Sequence, residues 1–122
     1  MTDEQTDVDV AGQAAPVIGV VRETGVDERR VALVPKAVAS LVNSGVAVVV
    51  EAGAGEQALL PDDLYTEAGA TIGEAWAADV VVKVAPPTAD EVGKLRSGQT
   101  LVGFLAPRNA ANQIEALKAA GV

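Results

Sequence analysis

The chain has 122 residues and a formal net charge of −8, and 49% of it is hydrophobic although it holds only one Trp, one Tyr and one Phe. That length allows one compact core, and with so few aromatics the core is built from Val, Leu, Ile and Ala. With no Cys and no His, disulfides, Cys/His zinc sites, thiol nucleophiles and imidazole acid–base catalysis are excluded, while the acidic balance argues against nucleic acid, whose phosphates call for clustered Lys and Arg.

Residues 1–16, MTDEQTDVDVAGQAAP, are polar, small and unpatterned, which predicts a disordered acidic tail ahead of an α/β domain over 17–122. The tail has neither the basic start nor the apolar stretch of a signal peptide, and no run of about 18 apolar residues occurs, so direct membrane insertion is not expected. VIGVV (17–21) reads as the first strand. A charged loop follows, and then Pro35 sits at a first helical position, Val38, Leu41 and Val42 form an apolar stripe, and Gly45 closes the helix as a left-handed cap. VAVVVEA (46–52) is a second strand. PDDLYTEAG repeats the helix pattern from Pro61 to Gly69, and the brief ATI (70–72) is a third strand. GEAWAA allows a short helical turn. DVVVKVA (79–85) is a fourth strand, stopped by Pro86 and Pro87, and in the helix beyond it Thr88 and Glu91 have capping-box spacing. QTLVGFLA (99–106) is a fifth strand, before a last helix over about Ala110 to Ala120.

Most of these runs do not alternate apolar with polar residues, as expected of strands covered on both faces. Strands alternating with helices imply right-handed crossovers and a doubly wound, mostly parallel sheet of about five strands, flavodoxin-like or Rossmann-like. The closing AAGV repeats the Gly-Val junction that opens the second strand. Two readings stand: a domain truncated at a helix-to-strand joint, or a helix with a frayed last residue.

In open α/β sheets ligands bind beyond the carboxyl ends of the strands. The loop after the first strand carries Arg22, Glu23, Asp27, Glu28, Arg29 and Arg30. Charges this dense read as a solvated loop, but Arg30, directly before VALVP, could offer its guanidinium fork to a carboxylate or phosphate. Lys83 interrupts an apolar strand near its carboxyl end, where it either snorkels past the end or faces a polar crevice. Together Arg30 and Lys83 could hold a small 2-oxo acid, the arginine on its carboxylate and the lysine on its carbonyl. GAGEQA (53–58) matches G-x-G-x-x-A, and Glu74 and Asp79 lie near the distance of a ribose ligand. Pro61, however, starts a separate helix instead of one beginning inside the glycine turn, so this stretch reads as a tight turn.

The residues from Val17 onward resemble the start of the alanine dehydrogenase and proton-translocating NAD(P) transhydrogenase alpha-subunit family. The likeness is carried, in order, by a G-hydrophobic-P-x-E opening, in which Val21 replaces the proline, then RVA-x-x-P, V-E-x-GAG, AGA and KV-x-x-P. It implies that Arg30 and Lys83 stand at the family's catalytic substrate-site positions, and that the histidine which alanine dehydrogenases carry after F-L is Ala106 here. That departure favours the transhydrogenase branch, leaving Arg30 and Lys83 as inherited positions. The resemblance further implies NAD(H) and NADP(H) in the complete enzyme, with none bound by this fragment alone. As partners it implies the rest of the alpha subunit, membrane-domain and NADP-binding subunits and a homodimer, on the cytoplasmic face of a bacterial inner membrane. The alternatives are the N-terminal domain of an alanine dehydrogenase-like enzyme and a non-catalytic α/β assembly module.

Overall fold

The computed structural model describes residues 16–25, 28–103 and 117–122. The expected acidic tail, Ala106 and most of the last expected helix lie outside them. The described elements are β1 (Val17–Val20), α1 (Pro35–Asn43), β2 (Ala47–Val50), a 3₁₀ turn (Glu56–Ala58), α2 (Asp62–Glu67), β3 (Thr71–Ile72), a second 3₁₀ turn (Ala75–Ala77), β4 (Val80–Val82), α3 (Ala89–Val92) and β5 (Thr100–Val102). Residues 117–120 are helical as well.

Among the described residues all four strand pairings are parallel, and the spatial order is β3-β2-β1-β4-β5. Of the two expected doubly wound orders this is the Rossmann one, in which the chain winds outward from β1 to one edge, returns, and fills the other side from β4. The return places β1 beside β4, with Val20 opposite Val82. Here the winding reverses, so the loops leaving the two strands diverge and open a crevice at their carboxyl ends.

The continuous valine runs have the expected cause. Val20, Val48 and Val50 point to one face, into a core with Val38 of α1 and Tyr65 of α2. Val21 and Val81 point to the other, against Trp76, Val92, Leu95 and Leu117. Each fully buried valine contributes about 1.5–3 kcal/mol relative to an exposed one. Gly19 faces the second layer so closely that an added Cβ would lie 2.0 Å from the carbonyl oxygen of Ala75, which seats the second 3₁₀ turn directly on β1.

The helix boundaries follow local chemistry. Pro35 occupies the first turn of α1, and Gly45 and Gly69 take positive φ after α1 and α2. Thr88 and Glu91 form the reciprocal capping box expected for α3. Tyr65, fully buried, donates its hydroxyl to the carbonyl of Leu33 at 2.8 Å and so ties α2 to the segment that enters α1. Among the described residues no helix is long and apolar enough to cross a membrane.

Candidate active site

The crevice between the carboxyl ends of β1 and β4 holds a buried charge cluster. Lys83, the residue after β4, is 4% exposed, and its Nζ donates to Glu23 Oε1 at 2.9 Å. A second carboxylate, Glu91 Oε1, stands 3.6 Å from the same nitrogen. Of the two fates expected for this lysine, the crevice is therefore the one observed. Burying an ammonium is unfavourable unless it is paired and hydrogen-bonded, and two carboxylates meet that requirement.

Glu23 is held more tightly than an ion pair alone would hold it. Oε2 accepts from the peptide N–H of Val84 at 2.8 Å, and Oε1 from that of Ala85 at 3.1 Å. Glu91 accepts from the peptide N–H of Thr88 at 2.9 Å and from the Thr24 hydroxyl at 3.3 Å. The cluster thus ties the β1 exit, the β4 exit and the first turn of α3 together.

Arg30 has a different setting. Its Nε and Nη2 both donate to the Glu28 carboxylate at 2.8 Å, a two-pronged pair with the arginine side chain 68% exposed. The guanidinium and the peptide N–H of Arg30 hold the Glu28 carboxyl well below the usual carboxylate range, at about 2. In return the Glu28 hydrogen bonds push the Arg30 pKa further up, with a smaller contribution from the charge of Glu23. Arg30 and Lys83 both lie beyond the carboxyl ends of neighbouring strands, but each is paired with a carboxylate of its own chain.

Two spaces open near these groups. A cleft of about 410 Å³ beyond β1 is lined by Arg22, Glu23, Thr24, Glu28, Arg29 and Gln57 among others. A smaller cavity of about 190 Å³ is mostly apolar, with Ala32, Leu33, Val82, Lys83, Val84 and Val102 on its wall.

The glycine turn is the tight turn expected and does not fit a dinucleotide. The Gly53 N–H, which would have to face a pyrophosphate, donates to Asp62 Oδ1 at 3.0 Å, and a 3₁₀ turn separates it from α2. Asp79 lies at the amino end of β4, where it accepts from the N–H of Val17 at 2.8 Å, at the opposite end of the sheet from the crevice. Glu74 is exposed and lines a separate cleft with Trp76 and Lys94. Among the described residues no group of His, Cys, Asp and Glu is arranged to hold a metal ion.

Sequence reasoning singled out Lys83 and Arg30 but counted Glu23 among the loop charges and Glu91 only as a cap. The available indication was the glutamate of the G-hydrophobic-P-x-E opening, which is Glu23. Its partner could not be named before β1 and β4 were known to be neighbours.

Comparison with known proteins places this geometry in a family. The family model described as "Alanine dehydrogenase/PNT, N-terminal domain" matches residues 19–122. The chain is 41% identical over 92 residues to the NAD(P) transhydrogenase subunit alpha of Haemophilus influenzae, covering 73% of this chain and 18% of that protein. It is 43% identical over 93 residues to the alanine dehydrogenase of Mycobacterium tuberculosis, covering 72% of this chain and 25% of that one. The chain therefore spans about a fifth to a quarter of the curated relatives it matches. Among solved structures, a transhydrogenase from Sinorhizobium meliloti superposes with a TM-score of 0.81 at 37% identity, over 86% of this chain and 32% of that one. An L-alanine dehydrogenase superposes with a TM-score of 0.82 at 34% identity, over 85% of this chain and 30% of that one. The model match over residues 19–122, together with these two superpositions, shows that the chain belongs to the alanine dehydrogenase/PNT N-terminal domain family.

Proposed function

We propose that the chain is the N-terminal portion of an NAD(P)+ transhydrogenase alpha subunit, whose complete enzyme passes hydride from NADH to NADP+ and couples that step to proton translocation. One observation carries the choice of branch: there is no histidine anywhere in the 122 residues, and Ala106 stands where the resemblance to alanine dehydrogenase calls for one. Interconverting an amino acid and a 2-oxo acid moves protons as well as hydride, and a side chain that titrates near neutrality is the usual agent. Hydride exchange between two nicotinamides requires no such group. The pairing of Arg30 with Glu28, and of Lys83 with Glu23 and Glu91, supports the same branch, because both cations are already engaged by internal carboxylates.

On this reading the domain is a scaffold, and NAD(H) and NADP(H) are held by other portions of the assembly. That assembly is the remainder of the alpha subunit, as a homodimer, with membrane-domain and NADP-binding subunits on the cytoplasmic face of a bacterial inner membrane. Arg30 and Lys83 keep the family's substrate-site positions in an inherited, structural role.

A second reading, an alanine dehydrogenase-like domain, is favoured by the placement of Arg30 and Lys83 beyond the ends of adjacent strands. Calorimetric titration of the 122-residue chain separates these possibilities. No micromolar binding of NADH and no binding of pyruvate is the expected result. Micromolar NADH affinity would overturn the assignment of the cofactor to other portions, and pyruvate binding that disappears in Lys83→Met would favour the dehydrogenase.

A further inference from the structure

The crevice holds two carboxylates for one ammonium, and their geometry divides the work between them. Glu91 is the third residue of α3, and its carboxylate closes the capping box and accepts from Thr24 while standing 3.6 Å from Lys83 Nζ. Glu23 approaches Nζ to 2.9 Å. Its other bonds come from Val84 and Ala85, the two peptide N–H groups that follow Lys83 in the chain. A single carboxylate therefore sets both where the ammonium sits and how the backbone turns as it leaves β4. The carboxylate itself cannot wander, since its side chain is 2% exposed and three donors converge on it.

We propose that Glu23 is the positioning residue of this site: it fixes the Lys83 ammonium in one orientation at the β1–β4 crevice, and Glu91 acts as the cap of α3 and a second counter-charge. The proposal rests on the reading of Lys83 as keeping the family's substrate-site position in an inherited, structural role. An ammonium has three N–H donors. Among the described residues these carboxylates engage at most two of them. Without Glu23 the long side chain would lose its anchor, and the Val84 and Ala85 N–H groups would lose their common acceptor.

The test uses the 122-residue chain labelled with ¹⁵N, and it follows the lysine Nζ resonances together with site-resolved acetylation by N-acetoxysuccinimide under native conditions. Lys36, Lys94 and Lys118 are exposed and serve as internal references. In the unsubstituted chain the Lys83 Nζ signal is expected to persist at neutral pH, and its acetylation to run at least tenfold slower than that of Lys36. Glu23→Gln keeps the shape and one acceptor oxygen; it is expected to erase the Nζ signal and speed Lys83 acetylation at least tenfold. Glu91→Gln is expected to leave the signal in place. Should Glu23→Gln give no dispersed backbone spectrum, Glu23→Asp withdraws the same charge by one methylene and is expected to speed acetylation at least threefold. The proposal is overturned if Lys83 reacts as fast as Lys36 in the unsubstituted chain, or if Glu91→Gln erases the signal while Glu23→Gln preserves it. Pyruvate is expected to leave the Lys83 signal unmoved; a shift with pyruvate in the unsubstituted chain, when Glu23→Gln still erases the signal, supports positioning and counts only against the inherited, structural reading of Lys83.

Discussion

Two ion pairs leave the same end of the same sheet, and they differ in nearly every respect that determines an energy. Arg30 and Glu28 are two residues apart in sequence, bonded twice, with the guanidinium in solvent. Lys83 and Glu23 are sixty residues apart, and both side chains are almost fully buried. The first pair gains little, because water screens the attraction and solvates either partner once they separate. In the second pair, losing one partner strands the other charge in a low dielectric. The shorter and more numerous hydrogen bonds of the Arg30 pair are thus a poor guide to energy, and burial is the better one.

The largest effect is expected from breaking the buried cluster. Lys83→Met fills a similar volume but leaves Glu23 and Glu91 without their ammonium, and it should lower the unfolding free energy by about 3–5 kcal/mol in urea titrations. Next comes Gly19→Ala, which tests whether the packed layer beneath the crevice is as unyielding as the cluster above it. The new methyl would meet the Ala75 carbonyl, and overpacking of this kind costs about 1–3 kcal/mol, read as a lower thermal midpoint. At the small end, Arg30→Ala should lower the unfolding midpoint the least of the three, because the pair is solvent-exposed.

Salt and acid sharpen the contrast further. Raising ionic strength toward 1 M should erase any difference between the parent chain and Arg30→Ala while leaving the penalty of Lys83→Met nearly intact, since a buried pair is screened far less. The Glu28 carboxyl is held at about 2, below its value in the unfolded chain. Its contribution to stability is therefore complete above the ordinary carboxylate range of about 4, and is lost as pH falls through that range toward the folded value. Carboxyl ¹³C shifts should show Glu28 titrating near 2 in the parent chain and in the ordinary range in Arg30→Ala.

The sequence disclosed what is local and concealed what depends on strand order. Val20 and Val21 are adjacent and face opposite layers, so their unbroken hydrophobicity correctly implied a sheet covered twice. Thr88 and Glu91 announced their cap because both partners of a capping box lie within one turn. Glu23 gave no local sign of burial, standing in a loop as charged as any on the surface. What turns it inward is Lys83 and the two N–H groups after it, and these reach Glu23 only because the chain crosses over to set β4 beside β1. Alternation of strands and helices implies parallel pairing but leaves the order of the strands open. Lys83 was recognisable for the opposite reason: a charge inside a valine run is conspicuous in one dimension.

The hydroxyl of Tyr65 fastens the Leu33 carbonyl, and with it the stretch between Arg30 and α1. Burial, with the Asp62 charge behind it, keeps that phenol protonated beyond the ordinary tyrosine range. The clasp therefore stays shut at alkalinities that ionise a free tyrosine. Its contribution to stability is undiminished below pH of about 10 and drains away as alkali climbs through the higher folded value, where the donor becomes an anion facing an oxygen. Base, and not acid, is the condition that should release the Arg30 strap from the second helix, and the ultraviolet band of phenolate would time its opening.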